Sequence, residues 1–592
     1  MIKQFIKNAF NGLSFIRNLT LNIIFIAAIV IILQTILSKK EVINENSILE
    51  IKIPKQLKEK TSNRNNGLIG KGESNLFLII KSINKAKTDP RIRKLLINMS
   101  DSQEIGQAQA NEIMLAIQEF KKSQKEVVAF SMNYNKNKYL IASAADKIAM
   151  DPLGMFDLSG YSVTRNFYKN TIEKLKLTVN VFKKGNYKSS PETYTETKFS
   201  EHARENYKGL LNDLWDQYTA TLQENRLTNA KLPILRSNIT QLLRNGNDYA
   251  MIAFKYKIID EISTIEEIKE SMVESINEKD QEIDRKKIKE TFVLNVNYEE
   301  QFANKEYYEK PNLAIIIAEG AIIEQRRKNH ISSDYITQEI EKIAENKSIK
   351  AIILRLNTGG GGVIASEKIR RKLLSIKNKN DIKIIVSMGD ITASGGYWIS
   401  TAADYIMANS NTITGSIGVY SIKLTAENTK EDLGVRTDSI EGKNTSKKHG
   451  SIFQKLQAID IEQQTEEVTK IYHNFINLVS ESRNISASKV DDIAQGQVWT
   501  GNQALKIGLV DEIGGLDQAI KKAAELAELE KIKIFIPYEE ESIIDYIKET
   551  IMNAQANIDQ LNEIKEQVNH YKNILENNKV EQKLYCDNCQ VK

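Results

Sequence analysis

The sequence predicts an α/β protein: two similar domains in tandem, behind an apolar N-terminal segment and ahead of a charged C-terminal tail. Three observations predict it. The chain has 592 residues, more than one hydrophobic core usually organises, with an ordinary globular balance of 41% hydrophobic and 27% charged residues. Short Val- and Ile-rich runs alternate with helical stretches, the mark of βα units on a mostly parallel sheet covered by helices. The alternation then repeats over a long period, so that "ASAADKIAM" (Ala142–Met150) returns as "STAADYIMA" (Ser400–Ala408).

Residues 1–18 form a short leader to "LTLNIIFIAAIVIILQTIL", residues 19–37, which carries no charge. Nineteen such residues are about the length needed to span a bilayer. The run ends in "LSKK" rather than at a small-residue cleavage site, so an uncleaved transmembrane anchor is expected. Lys3, Lys7 and Arg17 before it are balanced by Lys39 and Lys40 after it, and charge alone does not orient the span.

The first α/β domain is expected over 46–268. It has the strand "IRKLLINMS", the helix "ANEIMLAIQEFKKS" and the strand "EVVAFSMN". A charged stretch, 269–310, with "NEKDQEIDRKKIKE", reads as a linker or exposed helix. The second domain, 311–535, repeats the pattern with "IKAIILRLN", "ASEKIRRKLLSIKN" and "IKIIVSMG". The tail, 536–592, is rich in Asn, Glu, Lys and Ile at helical spacing and reads as an amphipathic helix or short coiled coil. Its Cys586 and Cys589 are too few to hold zinc without partners, so no metal or other cofactor is expected. Net charge is only +5, with Lys and Glu interspersed, which gives a nucleic-acid partner no support.

The two copies differ where chemistry is possible. With Met132 set against Met388 and Tyr139 against Tyr397, the first copy reads "MNYNKNKY" and the second "MGDITASGGY". The glycine run "NTGGGGV" (Asn357–Val363) is answered by "NMSDSQE". Gly359–Gly362 follow a strand and precede a helix, where glycines let backbone N–H groups approach a ligand closely. Val363 and Ile364 stand where a phosphate-binding P-loop needs Lys and Ser/Thr, and the Rossmann spacing also fails. The remaining use is an oxyanion hole, built from the glycine loop and from the Ser394–Gly395 turn of the next βα unit. Strand C-terminal ends are where α/β sheets place their sites.

A serine nucleophile needs a base. His202, His330, His449, His473 and His570 all lie away from glycine-rich strand ends, which leaves a buried, neutral lysine as the alternative. The residues alone do not choose which lysine.

"MGDITASGGYWIS", "TITGSIGV", "FKKGNYKSSPE" and "QGQVWTGNQALKIGLVDEIGG" occur in that order, and the chain resembles the long, tandem-domain form of the bacterial signal peptide peptidase A (protease IV) family from its anchor to about residue 535. The resemblance implies two Clp-protease/crotonase-like domains, a homotetramer on the membrane, and hydrolysis of cleaved signal peptides and other apolar peptides by a Ser-Lys dyad. It implies location on the bacterial inner membrane, with the catalytic domains on the periplasmic side. Carried onto this chain, the nucleophile is Ser394, the general base Lys188, and Ser416 orients the lysine; Gly395 and either Gly361 or Gly360 give the oxyanion N–H groups. Where the first copy has Lys188, the second has Thr445. The family's glycine loop reads Ser-Pro-Gly-Gly-Ser, and the Thr358–Gly362 run lacks that proline, so a looser loop is expected. The competing readings are a catalytically inactive membrane scaffold and a crotonase-like acyl-CoA enzyme.

Overall fold

The computed structural model describes residues 22, 43–59, 74–226, 231–276, 284–303, 310–327, 329–438, 440, 451–537 and 583–585. The expected span at 19–37 lies outside them except for Asn22, and among the described residues no helix is long and apolar enough to cross a membrane.

Two parallel sheets carry the chain. The first takes β1 (Ser47–Lys52), β2 (Ile92–Asn98), β3 (Val127–Asn135), β4 (Lys147–Asp157), β6 (Glu261–Ile262) and β7 (Phe292–Leu294), in the order β6-β4-β3-β2-β1-β7. The strand between β4 and β6, β5 (Thr178–Lys184), leaves this sheet for another. Helices α1 (Leu76–Thr88), α2 (Gln107–Lys121) and α3 (Lys136–Ser143) make the crossovers. Ser47–Ile51 are buried without alternation, as expected for a strand covered on both faces.

The second sheet contains β8 (Leu313–Glu319), β11 (Ala351–Thr358), β13 (Lys383–Ala393), β14 (Tyr405–Ala408), β18 (Glu512–Ile513) and β19 (Ile534–Phe535), joined by α4 (Val363–Asn380) and α5 (Gly395–Ser400). Its order, β18-β14-β13-β11-β8-β19, matches the first sheet strand for strand, so the sequence repeat is a repeat of topology. One detail distinguishes the copies. β13 pairs with β14 up to Met388, shifts register past Gly389 and Asp390, and then pairs with β15 (Ile413–Gly415), which is itself antiparallel to β17 (Val498–Thr500). The fork carries the end of β13, and Ser394 with it, away from the sheet plane.

A third, smaller sheet crosses between the halves. It comprises β9 (Ala321–Ile323), β10 (His330–Ser332), β12 (Gly360–Gly362), β16 (Val419–Thr425), β20 (Lys583–Tyr585) and β5, in the order β10-β9-β12-β20-β16-β5. β5 and β16 are antiparallel through the full register from Thr178↔Thr425 to Lys184↔Val419.

Two of the expected segments carry structure that composition does not suggest. The stretch 269–310 is not merely a linker: β7 pairs with β1 as an edge strand, and the helix Asn295–Ala303 packs on α1. Among the described residues Asp284, Arg285, Lys286, Lys289 and Glu290 are exposed, while Phe292–Leu294 finish the sheet. The tail expected to be helical over 536–592 lies mostly outside the described residues, but Lys583–Tyr585 is a strand, paired with an edge of β12 that has no other neighbour on that side among the described residues.

A buried charge cluster joins the halves. Arg355, on β11 and fully buried, donates to both carboxylate oxygens of Glu59 at 3.0 Å, to Glu112 at 2.7 Å, to Ser387 Oγ at 3.0 Å and to the Met388 carbonyl at 3.1 Å. Glu112 also accepts from Asn409 Nδ2 and from the Leu516 N–H. Asp390, at the fork in β13, accepts from the Ala108 N–H at 2.6 Å and so caps α2 from the other half of the chain. Burial and then the Glu59 charge push the Asp390 carboxyl up to about 7, against the pull of the Ala108 N–H and Arg355.

Candidate active site

Ser394 is the residue between β13 and α5. Its backbone, φ 55° and ψ −113°, is one that a residue with a side chain rarely adopts, at a cost of about 1–3 kcal/mol. The surrounding structure fixes it there: the Ser394 N–H donates to the Gly415 carbonyl at 2.8 Å, and its own carbonyl accepts from Trp398 N–H at 2.9 Å. The first copy shows the contrast. Asn135 stands at the corresponding end of β3 with φ −90°, and simply caps α3 by accepting from the Lys138 N–H. The turn therefore exists to present the serine.

Lys188 arrives from the other half. β5 runs along β16, and the turn after it is seated on the second half: the Lys188 N–H donates to Gly185, while the Tyr187 N–H donates to the Gln495 carbonyl at 2.8 Å. Gly496, at φ 78°, lies beneath, where an added Cβ would stand 2.6 Å from the Lys188 nitrogen. Lys188 Nζ then stands 2.9 Å from Ser394 Oγ, 2.9 Å from Ser416 Oγ and 2.9 Å from the Ser416 carbonyl oxygen. Lys188, Ser394 and Ser416 are 1%, 0% and 2% exposed. Ser416 also has positive φ (52°), held by its N–H donating to the Gln497 carbonyl.

The glycines fall beside them. A Cβ on Gly395 would lie 3.1 Å from the Gly361 nitrogen and 2.6 Å from Ser366 Oγ. The Gly360 N–H donates to Thr358 Oγ1 at 3.0 Å. A Cβ on Gly361 would collide with the Ile322 backbone of β9. The Thr358 hydroxyl and the β9 pairing restrain the loop from which the proline is missing. Of the histidines among the described residues, His202 and His473 are exposed and His330 is on the edge strand β10; His449 and His570 lie outside the described residues, as does Thr445.

A serine hydroxyl on a strained turn, a buried amine touching it and backbone N–H groups close by are the kinds of group that acyl transfer uses. Comparison with known proteins gives the same class. The model of "Peptidase family S49" matches residues 119–279 and 376–530, one stretch containing Lys188 and the other Ser394. The chain belongs to peptidase family S49. It is 32% identical over 486 residues to "Protease 4" of Salmonella typhi, covering 81% of this chain and 77% of that one. "Protease 4" of Haemophilus influenzae is 31% identical, with coverage of 88% and 87%. "Serine protease SPPA, chloroplastic" of Arabidopsis thaliana is 26% identical, with coverage of 82% and 70%. As a member of S49 the chain is a serine protease, a hydrolase.

Several residues at the site are absent from the sequence reading. Ser366 donates to the Gly362 carbonyl at 2.9 Å and packs over Gly395. Thr392 and Thr414 bond to neighbouring strand carbonyls at 2.7 Å and lock the fork. Gly496 seats the lysine. Only the last had a signal, the "QGQ" glycine in a motif already singled out.

Proposed function

We propose that the chain is a membrane-anchored endopeptidase that cuts cleaved signal peptides and other apolar peptides with a Ser394–Lys188 dyad. The observation that carries this reading is Lys188 Nζ, buried and 2.9 Å from Ser394 Oγ, on a lysine that the first half supplies to the second. Ser394 Oγ and the two Ser416 oxygens around Nζ suit a neutral amine. In the neutral form two N–H bonds would donate to the Ser416 hydroxyl and carbonyl oxygens, leaving the lone pair at 2.9 Å from Ser394 Oγ to take its proton. Burial favours that uncharged form.

In the first step Ser394 Oγ attacks the peptide carbonyl carbon and its proton passes to Lys188 Nζ. The oxyanion is held by the N–H groups of Gly395 and Gly361, the second assigned over Gly360 because Thr358 engages the latter. The carbon–nitrogen bond then breaks, Lys188 gives its proton to the leaving amine, and an ester to Ser394 remains. A water molecule, deprotonated by Lys188, attacks the ester and releases the acid and the free serine. Ser416 acts as a positioning residue.

The apolar run 19–37 supports an anchor, and the resemblance supports a homotetramer with catalytic domains on the periplasmic side of the bacterial inner membrane. The test is direct. Ser394→Ala should abolish hydrolysis of a fluorogenic peptide and labelling by a fluorophosphonate while retaining the wild-type unfolding transition. Lys188→Ala should do the same. Because the base works uncharged, kcat/KM should rise with pH to a plateau; an active Ser394→Ala protein ends the assignment.

A further inference from the structure

The first half keeps a cavity where the second half keeps its nucleophile. It lies at the C-terminal ends of β3 and β4, beside the loop that follows β2, and its volume of about 710 Å³ is within the usual range for ligand pockets. With Tyr139 set against Tyr397, Lys138 of α3 falls on Gly396 of α5, so a long amine stands where the catalytic half has no side chain. Two buried polar groups of this cavity lack the partners that burial demands. Lys138 is 5% exposed, yet its amine has one hydrogen bond, to Ser131 Oγ at 3.4 Å, and no carboxylate pairs with it among the described residues. Ser102 Oγ, on a residue 3% exposed, has no hydrogen-bond partner among the described residues. Burial pushes the Lys138 amine down to about 8, which leaves it mostly charged at pH 7.

The surroundings select the anion. Asp101 acts on the amine without pairing with it, and Asp157 stands exposed at the mouth, so a second negative charge on a ligand would be repelled. The other lysine in the first turn of α3, Lys136, is engaged by the Gly160 carbonyl and lies over the Tyr161 ring. One ammonium and one hydroxyl between two acids suit a single carboxylate better than a phosphate. The rest of the lining suits a peptide. Asn133 and Asn135 use their side-chain oxygens on the Met155 and Lys138 N–H groups, so what they still offer is amide N–H, while Phe156, Leu158 and Tyr249 are apolar. Both walls lead to the strand that carries Ser394. The loop containing Ser102 runs on to Gly106, where an added Cβ would collide with the Asp390 carboxylate, and the Asp157 stretch runs on to Tyr161, which packs in the cluster of Ala393.

We propose that this cavity binds the free α-carboxylate of an apolar peptide, held by the Lys138 ammonium and the Ser102 hydroxyl, and so favours peptides that end in a carboxylate. Hydrolysis of any peptide bond leaves that group on the fragment N-terminal to the cut, which makes cleaved peptides its natural ligands. The role in substrate choice rests on the peptidase reading of the Ser394 site; the binding does not. A hydrogen bond to a charged group of this kind changes affinity about 10- to 100-fold.

The experiment uses the full chain carrying Ser394→Ala, which binds without cutting, and one apolar peptide with a fluorescent N-terminus, made to end either in a carboxylate or in an amide. Fluorescence anisotropy should show the carboxylate form binding about 10- to 100-fold more tightly. Adding Lys138→Met should bring the carboxylate form to the affinity of the amide form, and Ser102→Ala, a smaller change, should narrow the gap. With Ser394 intact, the same gap should appear in KM for fluorogenic versions of the two peptides. Equal affinity of the two forms, or a gap that Lys138→Met leaves intact, overturns the proposal. Binding to vesicles of anionic phospholipid that Lys138→Met abolishes, with no preference between the peptides, gives the site to a phosphate and also overturns it. If the gap is found while Ser394 fails to react with a fluorophosphonate, the carboxylate site stands and the peptidase reading falls. If Ser394 reacts and the gap is absent, the peptidase reading stands and the carboxylate site falls.

Discussion

Arg355→Met would test how the two halves are held in register. The guanidinium makes five hydrogen bonds, three of them to the carboxylates of Glu59 and Glu112, and those side chains are 1% and 3% exposed. Methionine fills much of the volume but leaves two buried carboxylates facing one another. Removing one partner of a buried pair costs about 3–5 kcal/mol, and the lost bonds to Ser387 and Met388 about 1 kcal/mol more each. The expected loss is therefore about 5–7 kcal/mol, a large part of a total stability of about 5–15 kcal/mol. Its pH dependence follows from Asp390, whose carboxyl stands at about 7 even with Arg355 pulling it down. A carboxyl raised in the folded state holds a proton there that the unfolded chain releases. Its contribution is full below its ordinary value near 4 and is lost as pH rises through the folded one. Without Arg355 that carboxyl rises further, so the deficit should be largest at pH 8 and smaller at pH 5. Urea unfolding at both values measures it. Adding Glu59→Gln and Glu112→Gln should recover most of the loss, because the unpaired charges go. A deficit under about 1 kcal/mol, or one equal at both pH values, would refute the reasoning.

Ser416→Ala removes a hydroxyl contact to Lys188, and kcat should fall about 10- to 100-fold with KM little changed, as a loss of about 1.5–3 kcal/mol implies; steady-state kinetics decide it. Gly361→Ala places a methyl against the Ile322 backbone and should remove peptide hydrolysis while Ser394→Ala keeps its normal unfolding curve, so a fully active Gly361→Ala enzyme would contradict the oxyanion assignment. Gly496→Ala combines a strained φ of 78° with a contact 2.6 Å from the Lys188 nitrogen, and fluorophosphonate labelling of Ser394 should slow at least tenfold, by about 1.4 kcal/mol. Asp390→Asn keeps an oxygen for the Ala108 N–H and loses the titration, so thermal stability should fall less between pH 5 and pH 8 than in the wild type.

What could be read before the structure was whatever the chain states locally. The repeat of "SAAD" and "TAAD", the glycine run and the Ser394 turn are contiguous signals, and two sheets of one strand order account for the first. Lys188 is different. It lies 206 residues from Ser394, and nothing in its surroundings marks it as a base until β5 and β16 pair, so only family likeness singled it out. The same holds for Ser366 and the fork threonines, whose roles depend on which strand lies alongside. At 269–310 charge left a linker and an exposed helix both open, since the two share one composition, and the three residues of β7 are too few for periodicity. The strand at Lys583–Tyr585 has no sequence signal of its own, because its pairing is decided by the edge it meets.

The pairing of β5 with β16 also has a consequence in time. During synthesis the first half can fold its own sheet while Lys188 has nothing to act on. Ser394 emerges more than two hundred residues later. The carbonyls of Gln495 and Gln497, which seat the Lys188 turn and Ser416, come later still. A nascent chain thus has no assembled cutting site until about residue 500 has left the ribosome.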